Sequence, residues 1–198
     1  MLIKEHRLER MFNDDAFNSL YPMWVQANAV HHWTSLEVAE CAACFLAPEK
    51  NIHVLDIGSG VGKFCLAAAR CKPDAIFYGV EQRKNLVKYA NECSNKLDIF
   101  NVSFIQGNFT QLDFRQFDNF YFFNSFYENL SGTHKIDNKI EHSLSLYNYY
   151  NRYLYTQLHE RPSGTRLATY HSLEDEIPPS YDVVKTEFNG LLKFWVKV

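Results

Sequence analysis

The residues best suited to chemistry lie in Val54-Leu55-Asp56-Ile57-Gly58-Ser59-Gly60-Val61-Gly62, where a short apolar run meets three glycines at alternate positions. With no Cβ, Gly58, Gly60 and Gly62 let the backbone turn tightly and approach a ligand closely. Amides at the start of a following helix then face that ligand. Ser59 lies within the turn, and Asp56 precedes it, placed to organise the loop and meet a ligand's ammonium group, often through water. Two phosphate-binding patterns fail here. A P-loop needs G-x-x-x-x-G-K-[ST], but positions 57 and 64 are Ile and Phe. A dinucleotide turn needs G-x-G-x-x-G, and its third glycine would fall on Lys63. Glu81 ends the next apolar run, with Gln82 behind it. An acid in that position can accept both hydroxyls of a ribose. After a third run comes Gly107-Asn108-Phe109, in which Asn108 can accept from an adenine amino group and Phe109 or Ile105 can cover the ring. The alternative there is a turn residue and a core aromatic. Together these positions describe a nucleoside site at the carboxyl ends of adjacent strands, where open α/β sheets bind ligands.

Such a site requires strands and helices in alternation, and the sequence supplies them. Residues 1–30 read as helical but irregular, broken at Pro22. A helix is predicted over 35–46 from Leu36, Ala39, Ala43 and Leu46 at helical spacing, with Thr34 as N-cap and Glu37 completing a capping box. Strands are predicted over 53–57, 75–80, 102–106, 119–123 and 166–171, with helices over 63–70 and 85–97. A polar loop over 125–141 precedes a helix marked by Tyr147, Tyr150, Leu154 and Leu158 that ends before Pro162. Asn189-Gly190 between two strand-like runs, 181–188 and 191–198, is a hairpin signal. Right-handed crossovers then give a doubly wound, mostly parallel sheet of seven strands, to which the hairpin adds one antiparallel strand. The expected division is an N-terminal helical extension or cap over 1–33 and one α/β domain over 34–198.

Composition narrows the partners. Of 198 residues, 46% are apolar, enough for a sizeable core. The formal net charge is −3, with 20 basic and 23 acidic residues and no basic block. Extended binding along a nucleic-acid backbone needs clustered Lys and Arg, so it is not expected, although a locally recognised substrate is. Cys41, Cys44, Cys65, Cys71 and Cys93 form no regular framework. Cys41-x-x-Cys44 falls inside a predicted helix, and the thiols are expected to be buried or inert. His31-His32 lacks a set of partner ligands, so no metal is expected. The N-terminal stretch is too charged for a signal peptide. No apolar run approaches the roughly 20 residues that span a bilayer. A cytoplasmic protein with no membrane partner is the expectation.

Residues 50–198 resemble the class I, Rossmann-like, seven-stranded methyltransferases that use S-adenosylmethionine (SAM). The resemblance rests on VLDIGSGVGKF as the glycine turn, GVEQ as the ribose acid and IQGNF as the adenine segment. VLDIGSGVGKFCLAAA, YGVEQRKNLVKYA and YFFNSFYENL are most similar to the Dot1-type lysine methyltransferases and related small bacterial proteins. The chain departs from the pattern at Asn108, where that family often has Asp. The resemblance implies SAM as cofactor, S-adenosylhomocysteine as product, and Asp56, Gly58, Ser59, Gly60, Gly62, Glu81, Gln82, Asn108 and Phe109 around it. Residues before the first helix often close over SAM in related enzymes, which makes Trp33 and Thr34 candidates; a hydrophobic staple and an N-cap are the alternative. Asn124-Ser-Phe-Tyr127 resembles the [DN]-P-P-[YF] motif of amino-group methyltransferases, without its two prolines. It implies that Asn124 and Tyr127 orient a nitrogen acceptor, with Asn124 also near the cofactor. Glu128 and His171 are candidate bases near the same sheet edge. The implied function is methyl transfer to nitrogen on a protein or small molecule. The alternatives are a SAM- or nucleotide-binding module without catalysis and a nicotinamide-dependent oxidoreductase. The acceptor and the oligomeric state are not encoded in any motif.

Overall fold

A computed structural model of the chain describes residues 13–172 and 176–198. The helical reading of residues 1–12 lies outside the described residues. Three short helices come first: α1 (Asp14–Asn18), α2 (Met23–Gln26) and α3 (Ala29–His32). Then follow α4 (Leu36–Leu46), β1 (His53–Ile57), α5 (Lys63–Cys71), β2 (Ile76–Glu81), α6 (Lys84–Leu97) and β3 (Val102–Gln106). Two single 3₁₀ turns, 109–111 and 114–116, lead to β4 (Asn119–Phe122). A third 3₁₀ turn, 127–129, precedes α7 (Leu144–His159), β5 (Arg166–Tyr170), β6 (Tyr181–Glu187) and β7 (Leu192–Lys197).

The seven strands form one sheet in the order β3-β2-β1-β4-β5-β7-β6. Strands β1 to β5 are parallel, β7 is antiparallel to β5, and β6 is antiparallel to β7. The sheet is therefore mixed, with a parallel core, as the alternation predicts. Side-chain alternation along the strands builds two cores. Val54, Phe77, Tyr121 and Phe194 pack under α4, α5 and α6 on one face. Leu55, Ile57, Phe120, Phe122 and Trp195 pack under α7 and the 3₁₀ turns on the other. Every residue of β4 is buried, which fits its unbroken apolar run. The N-terminal segment shares the first core through Phe17, Tyr21 and Val25. The Tyr21 hydroxyl donates to the Val61 carbonyl at 3.0 Å, tying that segment to the glycine turn.

Several boundaries differ from the sequence reading by one residue, each for a local reason. Ser35, not Thr34, caps α4: its hydroxyl accepts from the Val38 amide at 3.3 Å. The Thr34 hydroxyl is paired instead with the buried Tyr121 hydroxyl at 2.9 Å, so it is unavailable for capping. Strand β4 ends at Phe122 rather than Phe123, because its partner β1 gives way to the glycine turn at Ile57. Strand β5 ends at Tyr170, and His171 turns off it with φ of 56°.

Candidate cofactor and acceptor site

The glycine turn leaves β1 and folds back on β2. The amides of Gly58 and Ser59 both donate to the Val80 carbonyl, at 3.0 and 2.9 Å. Gly58, Gly60 and Gly62 all have φ between 54° and 79°, a region costly for other residues. The three glycines do different work. A Cβ on Gly58 would lie 2.5 Å from that of Ser125, and one on Gly62 would lie 2.4 Å from the Phe104 ring. A Cβ on Gly60 would meet no protein atom within 4 Å. Gly60 is thus the glycine whose bareness serves an open space.

That space is a cavity of about 180 Å³ at the carboxyl ends of β1, β2 and β4. Gly58, Gly60, Glu81, Gln82, Phe109, Asn124, Tyr127, Glu128 and Trp33 all line it. Glu81 is only 6% exposed. Its carboxylate accepts from the amides of Gly60 at 3.2 Å and Arg83 at 2.8 Å. Burial raises its pKa, against the lowering effect of those amides and the Arg83 charge. Each oxygen retains lone-pair capacity for a hydroxyl donor. Val80, Leu86 and Phe109 add apolar wall beside it. Asn124 takes a left-handed conformation, φ 41°, and its carbonyl accepts from the Tyr127 amide at 3.0 Å. This tight turn brings both residues to the wall without the two prolines. Tyr127 is about half exposed, at the cavity's edge.

The remaining expected site residues lie off the wall. Asp56 shares its face of the sheet with Glu81 but lies two positions below it in the register, under α5, where the Cys65 thiol donates to it at 3.5 Å. Burial pushes its carboxyl up to about 8. Gly62 serves packing against Phe104. The Ser59 hydroxyl is buried, beside Gly79 rather than the cavity. Asn108 caps its own 3₁₀ turn, accepting from Thr110, and donates to the Tyr150 hydroxyl at 2.9 Å. Thr34 is held by Tyr121, as above. His171 is exposed and lies behind Phe123, ring centroids 5.7 Å apart, so it does not reach the wall as a base.

Glu128 is on the wall but is committed elsewhere. Arg83 donates to both its oxygens, at 2.7 and 3.3 Å, and the Ile136 amide donates to one of them at 3.1 Å. The candidate base is therefore an engaged carboxylate in this structure. Sequence reasoning missed Arg83, which is 5% exposed, and its second partner Asp137, at 3.0 Å from Nε. It also missed Ser125, whose hydroxyl donates to the Ile57 carbonyl, and His32 and His134, paired at 3.1 Å across the cavity's edge. These pairings span 45 to 102 positions in the chain, so no local spacing announces them. Among the described residues no cluster of His, Cys, Asp or Glu could hold a metal, and no helix is long and apolar enough to cross a membrane.

With this geometry in view, residues 48–186 match the family described as "Methyltransferase domain". The chain belongs to the methyltransferase-domain family. Its fold is shared with solved methyltransferases. Magnesium protoporphyrin IX methyltransferase (ChlM) from Synechocystis PCC 6803, with bound SAM, superposes with a TM-score of 0.60 at 14% identity, covering 98% of this chain and 97% of that one. TrmN from Thermus thermophilus gives 0.58 at 19% identity, over 88% and 52%. An RNA methyltransferase from Salinibacter ruber, in complex with S-adenosyl-L-homocysteine, gives 0.51 at 18%, over 80% and 89%. These are likenesses of fold. Closer identity is confined to short stretches. A tRNA (guanine-N(7)-)-methyltransferase from Synechococcus sp. (strain JA-3-3Ab) is 48% identical over 54 residues, 27% of this chain and 23% of that protein. Its counterpart from Synechocystis sp. is 44% identical over 60 residues, 30% and 28%. The chain thus spans about a quarter of the length of these curated relatives. The narrower likeness to Dot1-type enzymes is not carried by these matches. The cofactor that the family implies, SAM, fits the residues present: bare Gly60, the acid at the end of β2 and an apolar wall for a ring.

Proposed function

We propose that this methyltransferase transfers a methyl group from SAM to a nitrogen acceptor, and that the acceptor is a ring nitrogen of a nucleobase. One observation carries the first part: Gly60, Glu81 and Asn124, at the carboxyl ends of three strands, converge on one cavity where the strand order reverses between β1 and β4. SAM supplies an already activated methyl on a sulfonium. Once bound, it would pass that methyl to the acceptor's nitrogen lone pair and leave as the neutral thioether. The protein's task is therefore alignment. Glu81 holds the ribose, Gly60 leaves it room, and the Asn124–Tyr127 turn holds the acceptor in line. Residues 13–33 act as a cap, contributing Val25, Asn28, His32 and Trp33 to the wall.

The choice of acceptor rests on charge. A lysine-like amine, pKa about 10.4, must first lose a proton at a cost of roughly 4–5 kcal/mol at neutral pH. Of the two bases that the sequence offered, Glu128 is tied to Arg83 and His171 is off the wall; His32, His134, Glu141 and His142 also line it, and a ring nitrogen needs none of them. A ring nitrogen offers its lone pair without that step. The short identities with tRNA guanine-N7 enzymes point the same way. Arg83 is the only Lys or Arg on the wall among the described residues, and it is engaged by carboxylates. The acceptor's phosphates therefore stay outside the cavity, consistent with a protein of net charge −3 that recognises its substrate locally. The test is incubation with methyl-labelled SAM and separated RNA, protein and small-molecule fractions. Label in RNA, lost about 100-fold in Asn124→Ala and reduced in Tyr127→Ala with SAM affinity kept, is the expected result. Label confined to protein would replace the nucleobase by an amine.

A further inference from the structure

Arg83 stands two residues after the ribose acid, at the N-terminus of α6, with its side chain almost wholly buried. Its guanidinium meets Glu128 through Nη1 and Nη2, Asp137 through Nε, and approaches Glu81 at 3.8 Å. Planar, bidentate pairing of this kind fixes direction as well as distance. Glu128 and Asp137 both belong to the segment between β4 and α7, which contains Asn124 and Tyr127. That segment has internal ties of its own. Glu128 accepts from the Ile136 amide at 3.1 Å, Asp137 from the Lys139 amide at 3.0 Å, and the Thr133 hydroxyl donates to the Tyr127 carbonyl at 3.0 Å. His142 Nε2 stands 3.4 Å from Glu128. The segment is thus folded on itself and anchored to the end of β2 by one side chain. On the other side, the Arg83 amide donates to the Glu81 carboxylate at 2.8 Å. The acid placed to hold the ribose and the cation that holds the acceptor-side segment form one unit.

We propose that Arg83 is a positioning residue that couples ribose binding at Glu81 to the placement of the Asn124–Tyr127 turn. The proposal rests on the cofactor reading above. A ribose drawn against Glu81 fixes the Glu81–Arg83 pair. Arg83 then fixes Glu128, the neighbour of Tyr127. Coupling between two sites is reciprocal, so loosening the segment weakens cofactor binding and binding the cofactor tightens the segment. A brace that only supported the fold would show no such linkage.

Lys135 and Lys139 are exposed within the segment and provide tryptic reporters that the variants leave intact. The probe is S-adenosylhomocysteine, used with the full chain, with affinity read by calorimetry and folding by circular dichroism. In the unmodified protein it should slow cleavage at these lysines about 10-fold, within the usual range of site coupling. Glu128→Gln keeps shape and removes the charge of one partner. It should reduce the slowing to about 2-fold or less and weaken affinity by about the same factor as the coupling lost. Arg83→Lys keeps the charge without the fork and should fall between the two. Folded variants that keep full protection and full affinity would overturn the coupling, as would an unmodified protein that binds the probe with no change in cleavage. An unmodified protein that does not bind it at all would overturn the cofactor reading instead.

Discussion

At the scale of single residues, Glu81 and Gly60 answer different questions about the same cavity. Glu81→Gln keeps volume and one acceptor oxygen but removes the charge from two hydrogen bonds. A charge-assisted bond contributes roughly 1.5–3 kcal/mol, so SAM affinity should fall about 10- to 100-fold in calorimetry, and an unchanged affinity would remove Glu81 from the site. Gly60→Ala meets no protein atom within 4 Å, and its φ of 54° costs about 1–2 kcal/mol. The fold should survive while the added methyl enters the ligand's space. A folded Gly60→Ala protein with normal affinity would show that the turn serves the backbone alone. Asp56 gives a pH signature. Its pKa in the folded protein, about 8, is raised from an ordinary 3.8 chiefly by burial. The folded state therefore holds this proton more tightly than the unfolded chain. The stability contributed is complete below about pH 4 and is lost as pH rises through about 8. Asp56→Asn removes that dependence. In urea titrations its stability relative to the unmodified protein should climb between pH 4.5 and 8.5, and parallel profiles would refute a buried, protonated Asp56.

At the scale of elements, the hairpin β6–β7 tests whether the sheet's far edge matters to the site. Phe188, Asn189 and Gly190 are consecutive left-handed residues, with φ of 52°, 57° and 82°. Gly190→Ala should cost about 1–2 kcal/mol in a denaturant titration. The turn joins β7, three strands from β1 and so about 14 Å across the sheet, and SAM affinity should be unchanged. A large loss of affinity would mean that the hairpin supports the cavity through the ends of β5 and β4. The same elements show what was legible locally. Asn189-Gly190 announced the turn because few residues tolerate that backbone. The end of β4 did not announce itself, because Phe122 and Phe123 are identical in type and only the partner strand β1 decides where pairing stops.

At the scale of the whole molecule, cofactor binding should be visible in thermal unfolding. A ligand at 100 times its dissociation constant stabilises the folded state by about 2.7 kcal/mol. For a domain of this size that raises Tm by roughly 5–10 °C. SAM and S-adenosylhomocysteine should produce the shift and NAD should not; the reverse pattern would sink the assignment of the cavity. The effect reports on one cooperative body if the segment before α4 shares its core, as Phe17, Tyr21 and Val25 do. A transition that splits in two would separate residues before 34 from the rest.

The sequence by itself determined the order of elements, the parallel sheet, and the glycine turn and Glu81 at the ends of adjacent strands. Those depend on information that is local: apolar periodicity, a glycine turn at a strand end, and an acid at the next. Only the tertiary structure decided which of the polar side chains reach the cavity and which are engaged elsewhere. Asp56 and Glu81 are acids on the same face of adjacent strands, yet Glu81 stands two positions further along the register, at the cavity, while Asp56 is covered by α5. Glu128 reads as a base until Arg83, 45 positions earlier, is brought within 2.7 Å of it. Asn124 and Tyr127 reach the wall through a left-handed residue rather than the two prolines the motif would supply. A side chain's charge is written in its type, but its availability is set by what folds against it, and here those partners are distant in the chain.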